Sequence, residues 1–462
     1  MQRRPAWFRT CQGAESLEGE IRTALVASGV QIETDAEGPY GIVSFDKADE
    51  ELFGVLHEIR LDPRRRVLAV AASPDAANTG VVWRLLHAGA SDVLIWSGNG
   101  LGAAQLSAKL QRWFDVDELA GQAVSQESLV GDSPAWKSVV RRVVEAARFS
   151  TSPILLTGES GTGKELLARL VSLFCAAGGA NKLRKELIIV DCGSLVPELS
   201  GSEFFGHERG AFTGAHNQRE GAFAMADGAT LLLDEIGEVP LSLQAQLLRA
   251  IQEKTYKRVG GNLWQRTNFR LVCATNRDLE DLVRHGQFRL DLYYRIAGCV
   301  FRTPALRERK EDILPLARRF LRDCSSGNPV EFDNPVSEYL LNRVYDGNIR
   351  ELRQLIERIA HRHAGPGPIT VGDIPEDDRP AGGELKRAWP DQELERSISN
   401  ALAIGASLKE ITQATAETAI RIAVRSEGSN LQRAANRLGI TDRALQMRRA
   451  TGRLPEPPYP PG

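Results

Sequence analysis

A glycine-rich segment of eight residues, Gly158 to Glu165, carries the clearest chemical signal in the chain. It follows the apolar run 154–156 and precedes leucines at helical spacing, so it joins a buried strand to a helix. Glycines let backbone N–H groups converge on phosphate, and the amino end of the helix adds positive potential. The Lys164 ammonium can reach the outer phosphates. The pattern predicts an ATP-binding loop that comprises Gly158, Glu159, Ser160, Gly161, Thr162, Gly163, Lys164 and Glu165.

Two carboxylates, Asp234 and Glu235, end the apolar run 230–233. An acidic pair at the end of a buried strand needs a cation or solvent to offset its charge. We expect Asp234 to hold Mg²⁺, partly through water, and Glu235 to polarise the water that attacks ATP. Glu165 stands where the general phosphate-loop pattern has a Ser or Thr ligand for magnesium. The metal would then depend more on water and on Asp234.

Two other polar residues of this region are suited to a nucleotide. Asn276 ends the strand-like run 270–275, where it could sense the γ-phosphate or hold the attacking water. Arg350 falls in the first turn of a predicted helix, and a cation there opposes the helix dipole. This placement indicates that Arg350 serves a ligand rather than the helix.

A short segment between the phosphate loop and the acidic pair has glycine near both ends. Composition alone favours a surface loop whose phenylalanine packs inward. Its place between two nucleotide motifs also fits a lever that moves when nucleotide is hydrolysed. The segment consists of Gly210, Ala211, Phe212, Thr213, Gly214 and Ala215.

The whole chain sets the frame for these motifs. Its 462 residues are enough for roughly three domains, and the formal net charge of -2 means that any basic patch must be local. The six cysteines are widely spaced without a CxxC pair, which favours reduced thiols in a cytosolic protein over disulfides or a zinc site. No signal peptide or membrane-spanning run is visible. We expect a soluble, cytoplasmic protein.

Residues 1–115 alternate short apolar runs with amphipathic segments, which predicts a doubly wound parallel α/β domain. Asp46 at a strand end and the turn 88–92 resemble a response-regulator receiver. The receiver's acidic pair after the first strand is absent, and Trp96 stands in place of its lysine. Phosphoryl transfer to Asp46 would lack charge stabilisation. We therefore predict a degenerate receiver that serves as a docking or dimerisation surface, with a working phosphoacceptor at Asp46 as the alternative. Residues 116–128 are interpreted as a linker or a signalling helix.

Residues 129–361 resemble the AAA+ domain of the sigma-54-dependent activators, the NtrC-type bacterial enhancer-binding proteins. The most specific marker is the intact GAFTGA loop, residues 210–215, and Glu165 is usual in this family. Three other stretches support the resemblance: Arg-Val-Gly-Gly at 258–261, Leu-Arg-Glu-Arg-Lys-Glu-Asp at 306–312, and Gly-Asn-Ile-Arg-Glu-Leu at 347–352. The implied fold is a P-loop α/β core with a helical lid.

The resemblance also implies how the parts work. ATP would lie between the subunits of a hexameric ring, with Arg289 and Arg295 reaching the neighbour's nucleotide as arginine fingers. Asn276 would be the first sensor and Arg350 the second, and the GAFTGA loop would contact sigma-54 through Phe212 and Thr213. Asp191 replaces a frequent asparagine that restrains the catalytic glutamate, so it either disturbs that restraint or caps its strand.

The C-terminal third begins with a Gly-, Pro- and acid-rich linker over residues 362–390. Residues 391–454 predict an all-α helix-turn-helix domain that resembles the Fis type. Its first apolar stripe, from Leu408 to Ile422, is either a dimer face or core. Eight arginines lie between 421 and 453 against one Glu and one Asp, which indicates DNA binding. Arg443, Gln446 and Arg448 are the predicted DNA contacts, and the tail 455–462 is expected to be disordered.

Three functions are compatible with these motifs. The first is an ATP-driven transcription activator that binds upstream double-stranded DNA and remodels sigma-54 RNA polymerase as a dimer assembling to a hexamer. The second is an AAA+ remodeller of another protein, and the third is a DNA-binding regulator or repressor that does not depend on sigma-54. The intact Lys164, Asp234 and Glu235 argue against a regulator that has lost its ATPase activity. The intact GAFTGA loop favours the first function.

Overall fold

The computed structural model describes most of the chain in two compact units, Met1–Glu376 and Asp377–Gly462. The residues described are 4–11, 13–27, 29–33, 38–60, 62, 65–97, 101–126, 129–175, 186–324, 331–365, 367–379, 392–403, 405–426, 431–441 and 445. Among the helices in these ranges, none has the length and apolarity needed to cross a bilayer.

The first unit begins with a parallel five-stranded sheet in the order β2-β1-β3-β4-β5. Strands β3 and β4 are buried almost throughout because helices cover both faces, and this confirms the predicted doubly wound arrangement. The elements are β1 (Arg4–Thr10), α1 (Glu15–Ala27), β2 (Val30–Glu33), β3 (Tyr40–Phe45), α2 (Glu50–Arg60), β4 (Arg66–Ala71), α3 (Thr79–Ala88), β5 (Asp92–Ile95) and α4 (Leu101–Gln126).

The connection from β2 to β3 is unusually short for parallel strands. Only residues 34–39 separate them, whereas such crossovers normally take a dozen or more residues. Trp7 is 2% exposed, and its indole Nε1 donates to the Gly38 carbonyl at 2.9 Å. A Cβ atom at Gly41 would lie 2.0 Å from this ring, so the tryptophan lies flat over β3 only because residue 41 is glycine.

Helix α4 runs without interruption from Leu101 to Gln126. The sequence predicts a linker or a signalling helix over residues 116–128, and residues 116–126 are helical rather than an extended linker. Asp117 on α4 accepts from the Tyr40 hydroxyl of the first sheet and pairs with Arg141 at 2.7 Å. Arg112 pairs with Glu145 at 2.7 Å. The helix thus joins the first sheet to the second α/β layer.

The second sheet is also parallel and has the order β12-β6-β11-β8-β7, with a separate antiparallel hairpin of β9 and β10. This confirms the predicted P-loop α/β core. The elements are α5 (Pro134–Phe149), β6 (Ile154–Thr157), α6 (Lys164–Phe174), β7 (Leu187–Asp191), α7 (Pro197–Phe205), α8 (Ala222–Met225), β8 (Thr230–Asp234), α9 (Leu241–Glu253), β9 (Thr255–Lys257), β10 (Trp264–Arg266), β11 (Arg270–Thr275), α10 (Leu279–Arg284), α11 (Leu290–Ile296) and β12 (Cys299–Arg302).

A helical lid follows the sheet, formed by α12 (Ile313–Cys324), α13 (Asn334–Asn342) and α14 (Asn348–Arg362). Ile369 and Ile374 are fully buried in its core. The prediction that the linker begins at residue 362 is therefore wrong for the described stretch 367–379, because two isoleucines within it supply apolar area that the lid buries.

The second unit contains α15 (Gln392–Ala403), α16 (Leu408–Ser426) and α17 (Leu431–Leu438). Ala434 and Ala435 of α17 pack on Ile420 and Ala423 of α16. The predicted stripe on α16 is not core, because Leu408 is 79% and Ile422 62% exposed. The dimer-face interpretation stays a prediction. Arg443, Gln446, Arg448 and the tail 455–462 lie outside the described residues.

Candidate active site

The phosphate loop takes its shape from glycines whose backbone angles other residues rarely adopt. It connects β6 to α6, and Gly158, Gly161 and Gly163 have φ values of 143°, 74° and 103°. A Cβ atom at Gly158 would lie 2.2 Å from Thr303 Oγ1, and one at Gly161 would lie 2.4 Å from the Gly347 carbonyl oxygen. The loop is therefore packed between the end of β12 and the lid.

Lys164 is buried at the start of α6 and points back along the loop. Its Nζ donates to the carbonyls of Gly158 at 2.7 Å and Glu159 at 3.2 Å, and lies 3.8 Å from Glu235 Oε1. Burial lowers the pKa of this ammonium, while the charges of Glu235 and Asp234 raise it. An incoming phosphate would offer Lys164 a stronger partner than these carbonyls.

Asp234 ends β8 and Glu235 follows it in the left-handed region, with φ 50° and ψ 47°. The Glu235 backbone N–H donates to Asp234 Oδ1 at 3.1 Å, and Glu235 Oε2 accepts from the backbone N–H of Asn276 at 3.0 Å. Such a conformation persists only where surrounding contacts enforce it. Here it directs both carboxylates towards the end of the sheet where Lys164 lies.

Burial raises the pKa of Asp234, and the neighbouring charge of Asp191 adds to this, while Lys164 lowers it. Asp191 is paired in register with Asp234 at the ends of β7 and β8. Its Oδ1 accepts from the Gly193 N–H at 3.0 Å, which is the strand-cap arrangement. In this structure the backbone of Asn276, and not residue 191, holds the Glu235 carboxylate.

These groups meet at a cavity of about 440 Å³ between the phosphate loop and the lid. Arg350 reaches it from α14, and its Nη1 donates to Ser160 Oγ at 3.1 Å. The rest of the lining is mixed: apolar side chains such as Trp136 and Phe320 could contact the base of a nucleotide, and three charged residues, Arg319, Asp323 and Arg353, lie beside them. The predicted site residues that line it are Ser160, Gly161, Gly163, Lys164, Glu165, Asp234, Glu235 and Arg350.

Gly158, Glu159 and Thr162 of the predicted ATP-binding loop do not line this cavity, and neither do three of the predicted catalytic residues. Asn276 lies behind Glu235 and reaches it through its backbone. Arg289 and Arg295 lie at the two ends of α11, and Arg289 forms a bidentate pair with Asp291 at 3.0 and 2.8 Å. Arg295 is exposed to solvent. Neither arginine lines the cavity.

Sequence reasoning missed the contacts that join the lid to the phosphate loop. Glu159 pairs with Arg307, and the buried Asn348 donates to Glu159 and to the Ser160 carbonyl, each at 3.1 Å. The buried Arg309 donates to the Thr162 carbonyl at 2.7 Å and stacks over Trp136. The sequence motifs that contain Arg307 and Asn348 are recognisable. Their pairing with Glu159 is not, because Arg307 lies 148 and Asn348 189 residues from it along the chain.

The GAFTGA loop is closed by its own backbone and by the β9–β10 hairpin. The Gly210 N–H donates to the Ala215 carbonyl at 2.8 Å, and Gly210 and Gly214 have φ values of 81° and 100°. Phe212 remains 38% exposed and contacts His207 edge-on at 5.0 Å between ring centroids. Thr213 is exposed beside it. The phenylalanine is thus only partly packed, at the tip of an ordered loop.

Asp46 follows β3 in the first sheet, as predicted. The loop after β1 lies against it, because a Cβ atom at Gly13 would be 3.3 Å from Asp46 Cβ. Cys11 is buried, and burial with the charges of Glu51 and Asp49 raises the pKa of its thiol to about 11. Trp96 donates to Glu20 at 2.9 Å. Among the described residues, no group of three or more His, Cys, Asp or Glu side chains could hold a metal ion here.

Comparisons with known proteins cover both the central α/β domain with its lid and the whole chain. Family models match the sigma-54 interaction domain at residues 129–302 and the AAA+ ATPase lid domain at 307–388. The transcriptional regulatory protein ZraR of Klebsiella oxytoca is 36% identical over 442 residues, which cover 92% of each chain. The regulatory protein AtoC of Escherichia coli is 38% identical over 322 residues, 69% of this chain and 66% of that one.

Among solved structures, NtrX from Brucella abortus in complex with ATP shares the fold. It is 22% identical, with a TM-score of 0.50, over 97% of this chain and 99% of that one.

Proposed function

The chain belongs to the sigma-54-dependent AAA+ transcriptional activators, and on this premise we propose that it hydrolyses ATP to remodel sigma-54 RNA polymerase holoenzyme. One observation carries the ATPase part of the proposal. Lys164, Asp234, Glu235 and Arg350 converge on a single cavity although they come from three separate parts of the chain: the start of α6, the end of β8 and the first turn of α14. A cation for the outer phosphates, two carboxylates and a lid arginine are the groups that phosphoryl transfer to water requires.

The residues present also fit a magnesium ion that accompanies ATP. Asp234 is half-buried and its pKa is raised by burial beside Asp191, so a cation would offset an unfavourable negative charge. Bound Mg²⁺ would neutralise charge on the phosphates. Glu165 lines the cavity but pairs with Arg169 at 2.7 Å, which leaves Asp234 as the main protein ligand, partly through water. Glu235 would orient the attacking water.

We propose the GAFTGA loop as the contact to sigma-54. Phe212 and Thr213 are exposed at its tip, and the loop belongs to the same α/β layer as the nucleotide cavity. The proposal extends to a hexameric ring in which Arg295, and Arg289 once released from Asp291, serve the neighbouring nucleotide. Neither arginine lines the cavity beside the phosphate loop of the same chain, which supports a role at the interface between subunits.

For the second unit we propose binding to upstream DNA as a dimer. Helix α16 presents Leu408 and Ile422 to solvent, which suits a second copy of the same helix. The proposed DNA contacts Arg443, Gln446 and Arg448 stay predictions, as does a cytoplasmic location. The alternative for the ATPase domain is the remodelling of another protein, and the intact GAFTGA sequence within a matched sigma-54 interaction domain favours sigma-54.

Two variants test the proposal at separate steps. Glu235→Ala should bind ATP with near-normal affinity yet lose turnover by about a hundredfold or more, because the water loses its base. Turnover is measured by phosphate release from the purified full-length chain. Unchanged turnover in this variant would exclude the assigned site.

Thr213→Ala should hydrolyse ATP at the wild-type rate but fail to open a sigma-54 promoter in a reconstituted transcription assay. The variant removes one exposed hydroxyl, so the fold should be unaffected. Normal promoter opening by Thr213→Ala would count against a sigma-54 contact at this position and would favour another partner for the loop.

A further inference from the structure

We infer that Glu159, Arg307 and Asn348 form a latch that holds the lid on the phosphate loop and thereby positions Arg350 in the nucleotide cavity. These three residues are called the lid latch below. The inference rests on the proposed ATPase function and concerns how the lid arginine finds its place. None of the three residues would have to touch the reacting atoms, so they are positioning residues.

The first part of the lid latch is an ion pair across the two layers. Arg307 Nη1 donates to Glu159 Oε2 at 2.8 Å, and its Nη2 donates to Oε1, so the pair is bidentate. The hydrogen bonds from Arg307 and then from Asn348 lower the pKa of Glu159 to about 2, so it stays ionised at neutral pH. Both side chains are about half exposed, and such pairs add little to stability. Orientation is the better explanation for a planar two-point contact.

Asn348 supplies the second part and is fully buried. Its Nδ2 donates to Glu159 Oε2 and to the Ser160 carbonyl at 3.1 Å each, while its Oδ1 accepts from the Leu306 N–H at 2.8 Å. Its φ of 52° is unfavourable for a residue with a side chain and persists because these contacts fix it. One residue therefore ties the phosphate loop, the segment after β12 and the start of α14 together.

Arg350 lies two residues beyond Asn348, in the first turn of α14. The neighbouring Ile349 N–H donates to the Gly161 carbonyl at 3.0 Å, and a Cβ atom at Gly161 would lie 3.1 Å from Arg350 Cβ. The Arg350 guanidinium then reaches Ser160 Oγ. A rotation of the lid about this junction would carry the guanidinium away from Ser160 Oγ, and a misplacement of about 1 Å already weakens a positioned contact strongly. The lid latch restricts this rotation.

The test measures binding of a fluorescent non-hydrolysable ATP analogue, adenylyl imidodiphosphate, to the full-length chain. Arg307→Met and Glu159→Gln should each weaken binding about fivefold, and the double variant should be no worse than either single one. Arg350→Met should weaken binding in the intact protein but add almost nothing in the Arg307→Met background. A purely structural role for Arg307 would not produce this coupling with Arg350.

Arg302→Met is the matched control. It breaks a neighbouring ion pair, Arg302 with Glu308 at 2.6 Å, that makes no hydrogen bond to the phosphate loop. The Arg302 charge contributes less to the low pKa of Glu159 than the hydrogen bonds from Arg307 and Asn348 do, so binding should change much less than in Arg307→Met. Arg307→Lys keeps the charge and should recover part of the affinity if Arg307→Met folds poorly. Full additivity of Arg307→Met with Arg350→Met would overturn the inference, as would wild-type affinity in the two latch variants. Absence of binding to the wild-type chain would instead refute the proposed ATPase function.

Discussion

Asp234 illustrates the conflict between function and stability at a single residue. Burial raises its pKa, so its ionised form opposes folding, and this loss of stability develops as pH rises from the ordinary value of 3.8 through the raised one. Asp234→Asn removes the charge and keeps an oxygen that can accept from the Glu235 N–H. We expect the variant without nucleotide to unfold about 1–2 °C higher at pH 7, with the solvent exposure of this side chain limiting the gain.

The measurement is thermal unfolding of wild type and Asp234→Asn across pH. The difference in midpoint should vanish below pH 3.8, where both side chains are neutral, and level off above the raised pKa. ATP turnover should fall in the same variant because the proposed metal ligand is lost. Equal midpoints at pH 7 would show that Lys164 compensates Asp234 fully.

For single residues, the sequence predicted which side chains form the candidate site but not which groups they contact. The types and spacing of Lys164, Asp234 and Glu235 predicted that they meet at one end of a parallel sheet, and the structure brings them to one cavity, while their catalytic roles stay predictions. The partner of Glu235 could not be predicted in the same way. It is a backbone N–H of Asn276, and sequence carries no signal for which backbone group a side chain will meet.

At the scale of elements, the GAFTGA loop depends on the hairpin beside it. Gly260 has a φ of 77°, and a Cβ atom there would lie 2.7 Å from Ala211 Cβ. Arg258 at the base of this hairpin turn pairs with Glu208 at 3.1 Å. Gly260→Ala should therefore displace the loop as well as strain the backbone. We expect promoter opening to fall about tenfold or more while ATP turnover stays near normal.

Gly286→Ala is the control for this prediction. Gly286 has a similar φ of 69°, but no atom lies within 4 Å of the position its Cβ would take. It carries the same backbone strain, about 1 kcal/mol, without a clash. Equal loss of promoter opening in both variants would assign the effect to general destabilisation, and loss in Gly260→Ala alone would assign it to the loop.

Element boundaries could be predicted only where the pattern is local. The strands β3, β4, β6, β8 and β11 follow from apolar runs that end in polar residues. Helix α4 crosses the predicted boundary at residue 115, because polar residues such as Asp117 find partners in both layers it joins. Ile369 and Ile374 were assigned to a linker for the opposite reason, since glycine and proline dominate their surroundings and hide two core residues.

At the scale of the whole molecule, the proposal requires that no subunit is complete by itself. The cavity holds Lys164, Asp234 and Glu235 but neither predicted finger. In the isolated chain Arg289 is held by Asp291, whereas Arg295 is exposed on the last turn of α11. Arg295 is therefore the better candidate to complete a neighbour's site. Glu235→Ala and Arg295→Ala should each be inactive as homogeneous rings, for lack of opposite halves of the site.

Mixing the two inactive proteins tests this directly. A ring interface is competent when the Arg295→Ala subunit holds the nucleotide and the Glu235→Ala subunit supplies the arginine, which applies to about a quarter of interfaces in an equal random mixture. Co-expressed chains should therefore regain measurable ATP turnover. A mixture of Glu235→Ala with Asp234→Ala should regain none, because both changes fall in the same half of the site. Failure of the first mixture, with rings formed, would place Arg295 outside the neighbour's site and transfer the finger role to Arg289.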